Sequence, residues 1–121
     1  MRTLLVRIDG EVEPGDIVIL QCADRYRGGQ SNARAHVRQL RPDRIEVVNG
    51  TKTIVEDKPE LSELVAMIAR EIGSRWGPGF SARQRNANEI VVQCETNSQE
   101  VNFSYTIEGS KKQRVTIEEL A

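Results

Sequence analysis

Only one stretch of this chain carries helical periodicity, and that dictates its fold class. Leu61, Leu64, Val65, Ile68, Ile72 and Trp76 recur at i, i+3, i+4 spacing, the stripe of a helix that lays one face on a core. The spacing predicts a helix over about 58–75. Pro59 falls in its first turn, where a missing N–H costs nothing. Asp57 and Glu60 have capping-box spacing, and Gly77-Pro78-Gly79 stops the helix. The other apolar residues come in short alternating or continuous runs of strand length. The expected fold is therefore α+β and mostly antiparallel β. It is a β-sandwich or partly open barrel, with the one amphipathic helix between N-terminal hairpins and a C-terminal β-meander.

Turn chemistry divides the strands. Residues 3–8 alternate, and Ile17 to Leu20 is a continuous apolar run, as in a strand buried on both faces. Pro14-Gly15 between them suits a type II turn, so these two strands are expected to pair as a hairpin. Residues 23–35 lack periodicity and contain Gly28-Gly29, Ser31 and Asn32. They read as a long exposed Gly- and Arg-rich loop, and loops of that length usually serve a function or are disordered. Asn49-Gly50 between IEVV and TKTIV is the strongest short-range hairpin signal, because a type I′ turn needs positive φ at both positions. Two short loops then give the last three strands a meander register: Cys94 against Val101, Val92 against Phe103, Tyr105 against Val115 and Phe103 against Ile117. Phe80–Arg85 adds a further strand, with Phe80 and Ala82 inward and Arg83 and Arg85 outward.

At 121 residues the chain reads as one domain spanning 1–121. No apolar run approaches the roughly 18 residues of a membrane helix, and the N-terminal residues read as a first strand and not a signal peptide. The expected location is cytoplasmic when made, without membrane association. Cys22 and Cys94 share no metal or redox spacing. They read as buried reduced thiols, with a disulfide and a reactive thiol as the other readings.

Charge is unevenly placed. Arg25 to Arg44 holds six arginines, the lone His36 and one acid, Asp43, in a chain of net charge −1. A cationic excursion on an acidic body is a candidate contact surface, and arginine forks suit carboxylate and phosphate alike. The candidate partner-binding residues are Arg25, Tyr26, Arg27, Arg34 and Arg38. A second basic patch, Arg75, Trp76, Arg83 and Arg85, sets an aromatic among cations. It also reads as the end of the core flanked by solvated arginines. His36 has no ligand-spaced partner. Asp9, Glu11, Glu13 and Asp16 read as a solvated acidic turn. No phosphate-cradle or nucleophile motif occurs, so no catalytic residue, metal, cofactor or small-molecule substrate is expected.

The expected function is that of a non-enzymatic structural or assembly protein. It would bind a copy of itself or an acidic protein partner through the arginine-rich loop. In outline, two strands, a long loop, further strands, one helix and a terminal meander are similar to the self-stacking ring subunits of phage tail tubes and related secretion tubes. That resemblance implies a virion component whose loop reaches into the next ring. The alternative is a nucleic-acid-binding module using Arg25–Arg44, or a small regulator or inhibitor of a nucleic-acid machine.

Overall fold

The computed structural model describes residues 1–24 and 29–120. Nine strands and two helices follow in the order β1 (Arg2–Gly10), β2 (Ile17–Asp24), β3 (Gly29–His36), α1 (Val37–Leu40), β4 (Arg44–Val48), β5 (Thr51–Val55), α2 (Leu61–Arg75), β6 (Phe80–Asn86), β7 (Glu89–Cys94), β8 (Val101–Glu108) and β9 (Gln113–Leu120). The architecture is α+β, mostly antiparallel β with one main helix. The strands form a four-stranded sheet ordered β6-β7-β1-β9, a three-stranded sheet ordered β3-β2-β8, and the separate hairpin β4-β5.

The expected pairing of the first two strands does not form. β1 is central in one sheet, between β7 and β9, and β2 is central in the other, between β3 and β8. Both strands alternate buried with less buried residues, so Ile17 to Leu20 is buried fully on one face only. The Glu13–Asp16 turn forms, with Asp16 N–H donating to Glu13 O at 3.1 Å, but it hands the chain from one sheet to the other. The C-terminal meander is likewise corrected. β7 pairs with β1 and β6, β8 with β2, and β9 with β1. Alternation placed part of the inward face: Ile90, Val92, Cys94, Val101 and Val115 are buried, but Tyr105, expected on the same face, is exposed, and β7 also buries Glu89 and Val91. Period-2 patterning says which way a side chain points, and does not say which strand lies beside it.

Of the expected loop 23–35, residues 23–24 and 29–35 are strand, and residues 25–28 lie outside the described residues. β2 runs on to Asp24, and β3 starts at Gly29 and pairs with it through His36. Ala33 and Ala35 are fully buried on β3, and α2 packs against β3 and β6. Residues this small give a weak hydrophobic signal, yet they let a helix approach closely. The strand breaks at Val37, which starts the single turn of α1.

The helix begins three residues later than its first expected residue. Glu60 is the N-cap, and it shares a capping box with Glu63; Pro59 therefore precedes the helix. The apolar stripe is as read, with Leu64, Val65, Ile68 and Ile72 fully buried and Trp76 nearly so. These side chains join Leu4, Val6 and Ile8 of β1, Val18, Leu20 and Cys22 of β2, and Val92 of β7 in a shared core. Phe80 and Ala82 pack against it from β6. At one end Trp76 meets Phe80 edge-on, with centroids 5.6 Å apart, and lies tilted on Phe103 at 5.8 Å.

Candidate interaction surface

The β4-β5 hairpin forms as its turn sequence predicts. Asn49 and Gly50 have φ of 50° and 79°, and Arg44–Val48 pairs with Thr51–Val55 in the register Ile45 to Ile54 and Val47 to Lys52. Every residue of β4 is exposed, and all of β5 but Val55. Seven large hydrophobic residues are exposed among those described, and Ile45, Val47, Val48 and Ile54 make up four of them, at 61–68%. Cross-strand register puts Ile45, Ile54 and Val47 on one face. Isolated apolar surface residues are ordinary; four on a five-residue-deep finger are not. A lone two-stranded hairpin is also marginal in water without a further strand or layer.

Arginines brace the base of this finger. Arg44 bonds Asp57 at 2.9 Å and also pairs with Glu46. Arg38 bonds Glu56 at 3.0 Å, and Arg41 bonds Glu63 at 2.8 Å. The Arg44 guanidinium holds the Asp57 carboxyl below its ordinary range. Arg41, with help from the Glu60 backbone N–H, does the same to Glu63. Each pair is about half exposed, so each contributes little alone. Together they fix where the hairpin leaves the body.

This placement redistributes the predicted contact residues. Arg25, Tyr26 and Arg27 lie outside the described residues. Arg34 is exposed on the outer face of β3. Arg38 is one of the braces, so its fork is already engaged by a carboxylate of this chain. In the second basic patch, Trp76 is 6% exposed and cannot serve as a stacking platform. Arg75 pairs with Glu71 one turn earlier at 3.3 Å. Arg83 and Arg85 are exposed on β6, an edge strand of the four-stranded sheet, on the side away from the core.

Asp16 departs furthest from its reading as a solvated acid: it is 1% exposed. Its carboxylate accepts from Glu13 N–H at 2.9 Å, Ser110 N–H at 2.7 Å, Ser110 Oγ at 2.8 Å and Gln113 Nε2 at 2.7 Å. Burial pushes its pKa up, but these donors outweigh that and hold it below the ordinary value. Glu13 stays outside and takes Lys58 and Lys112 at 3.0 and 3.3 Å.

Cys22 and Cys94 are buried free thiols, and burial pushes the Cys22 thiol up to about 11. Among the described residues no group of three or more His, Cys, Asp or Glu is placed to hold a metal ion, and no helix is long and apolar enough to cross a membrane. A cleft of about 160 Å³ lies between Asp24, Pro78, Phe80, Cys94 and Glu95, and another of about 170 Å³ lies along Arg83 and Val91. Both are well short of the ~300–1,000 Å³ of usual ligand pockets.

The hairpin surface was missed because its residues read as ordinary strand formers. A signal was present: in IEVV two apolar residues are adjacent, so no single face can bury the run. No family model, no curated protein and no solved structure matches this chain.

Proposed function

We propose that this chain is a non-enzymatic assembly protein that binds itself or a partner protein through the β4-β5 hairpin. The observation that carries this is four exposed aliphatic side chains on a finger that belongs to neither sheet. Strand-to-strand docking onto such a finger covers apolar surface and satisfies edge hydrogen bonds together. The body that bears it is best described as an open sandwich, with two sheets facing a shared core and α2 along one side.

The arginine stretch takes a different role in this reading, since Arg38, Arg41 and Arg44 position the finger and Arg34 alone among the described members has no ion pair. In this reading three of the six cations serve the hairpin rather than a nucleic acid. The virion or tail-tube form of the proposal loses the meander from its element order, keeps of its loop only residues 25–28, outside the described residues, and rests on assembly through an exposed element.

Sedimentation velocity across a concentration series tests the proposal. Association that the double substitution Ile45→Lys, Ile54→Lys abolishes, with an unchanged melting temperature, is the expected result. Association that survives the double substitution would remove the hairpin from the interface.

A further inference from the structure

The hairpin's free edges differ in what they can pair with. The two-residue Asn49-Gly50 turn makes Val48 and Thr51 a hydrogen-bonded pair, and bonding direction alternates from there. Thr53 and Val55 therefore direct their backbone groups inward to β4. Lys52 and Ile54 direct theirs outward, and Glu56 continues the same parity. On the other edge, Ile45 and Val47 of β4 point outward.

We propose that β5 pairs antiparallel with β5 of a second copy, with Ile54 opposite Ile54 of that copy. This rests on the hairpin being the interaction surface. Ile54 against Ile54 sets Thr53 opposite Val55 and Lys52 opposite Glu56, twice by symmetry. All outward-directed backbone groups from Lys52 to Glu56 then find partners. The four strands run β4-β5-β5-β4, with an unbroken row of Ile45, Ile54, Ile54 and Ile45 on one face. A Lys52–Glu56 pair closes each side of that row. Opposite charges directly across a ladder stabilise it, and like charges do the reverse.

Charge complementarity selects this register and this partner. Centring the pair on Lys52 would oppose two lysines. Centring it on Thr53 would set Lys52 against Ile54. On the β4 edge, Ile45 against Ile45 would set the Asp43 carboxylate against the apolar Val47, with no opposite charge to meet it. The necessary groups are available on β5. Lys52 is exposed and has no ion pair among the described residues. Arg38 takes Oε1 of Glu56, and Oε2 has no partner among them. The contact is isologous, so it stops at a dimer. It is also small, below the roughly 1,200 Å² of stable complexes, so the dimer is expected at high micromolar concentration.

A charge swap tests it. Lys52→Glu puts Glu opposite Glu in both pairs, and Glu56→Lys puts Lys opposite Lys. Each variant alone should dimerise about tenfold more weakly than wild type. An equimolar mixture of the two restores both opposite-charge pairs and should recover wild-type association as a heterodimer, readable by sedimentation equilibrium or native mass spectrometry. Melting curves check that each variant is folded. Recovery in the mixture establishes the register. If Ile54→Lys abolishes association while the charge variants and their mixture behave as wild type, the register is wrong and the hairpin remains the interface. A wild-type chain that is monomeric at millimolar concentration, with hairpin amides exchanging freely, overturns the self-pairing.

Discussion

Ser110 donates its backbone N–H to the Asp16 carboxylate at 2.7 Å, and this bond joins two of the connections that carry the chain between sheets. β1 and β9 are neighbours in one sheet, and β2 and β8 in the other. The β1–β2 and β8–β9 connections therefore lie side by side at one end of the core and run in opposite directions. Asp16 sits in the first and takes Ser110 and Gln113 from the second. It is a buried anion held by neutral donors, with no ion pair among the described residues.

Removing that charge leaves donors facing nothing. Asp16→Ala strands two backbone N–H groups and the Gln113 amide in a buried site. Asp16→Asn keeps the shape but turns one acceptor oxygen into an NH₂ that faces donors. Each is expected to cost about 2–4 kcal/mol, with Ala the worse. Urea unfolding at neutral pH measures this; a loss under about 1 kcal/mol for both would mean that the crossing is held by other contacts.

The same site makes stability fall in acid. Asp16, Glu13, Asp57, Glu63 and Glu89 all have folded pKa values below their ordinary ones. A carboxyl with a depressed folded pKa stabilises above its unfolded value, near 4, and loses that contribution as pH drops through the folded value. Unfolding free energy should be level from about pH 8 to 5 and decline below about 4. Asp16→Asn should start lower and decline less steeply. An equal acid slope in the two proteins would show that Asp16 does not contribute to the linkage.

Much of this organisation was legible in the residues, and the misses have physical causes. The stripe from Leu61 to Trp76, the Asn49-Gly50 turn and the inward Phe80 and Ala82 are local patterns, and local patterns survived. Strand neighbours did not, because β1–β7, β1–β9 and β2–β8 join residues distant in sequence through faces that several partners could satisfy. The alternation of β3 was hidden by the small core residues Ala33 and Ala35. Asp16 looked solvated because nothing near it in sequence reveals the Ser110 and Gln113 donors. The arginine stretch was conspicuous for its charge, but its carboxylate partners Glu56, Asp57 and Glu63 lie just beyond it along the chain.

Glycines at the crossings should respond oppositely to one in the helix. Gly109 has φ 99°, and an added Cβ would lie 2.5 Å from Asp16 Oδ1 and 2.9 Å from its Cα. Gly10, φ 109°, would place one 2.2 Å from Lys112 O. Alanine at either position should destabilise by about 2 kcal/mol or more through strain. Gly73 lies in α2 with open space around it, so Gly73→Ala should stabilise by about 1 kcal/mol. Thermal melts of the three variants decide this; a stabilised Gly109→Ala would contradict the packing of Asp16 under that turn.

Arg2 closes the opposite end of the two sheets. From β1 its Nη1 donates to Ser98 O and Val101 O, each at 2.8 Å, and its Nε pairs with Glu119. Its guanidinium lies 5.2 Å from the Phe103 ring centroid, and its side chain is 14% exposed. Lysine cannot supply these directions from one point charge. Arg2→Lys and Arg2→Met should each cost about 1.5–3 kcal/mol. Loss of the Arg2 fork should open a path to the thiols, because Cys22 lies across the ladder from Phe103 and Cys94 across from Arg2 itself. Labelling of the native protein with an aromatic disulfide reagent at pH 8 should be slow in wild type, where both thiols are buried and the Cys22 pKa of about 11 leaves little thiolate. In Arg2→Met it should be several-fold faster. Unchanged labelling in a destabilised Arg2→Met would show that the residue braces the sheets without sealing the core beneath it.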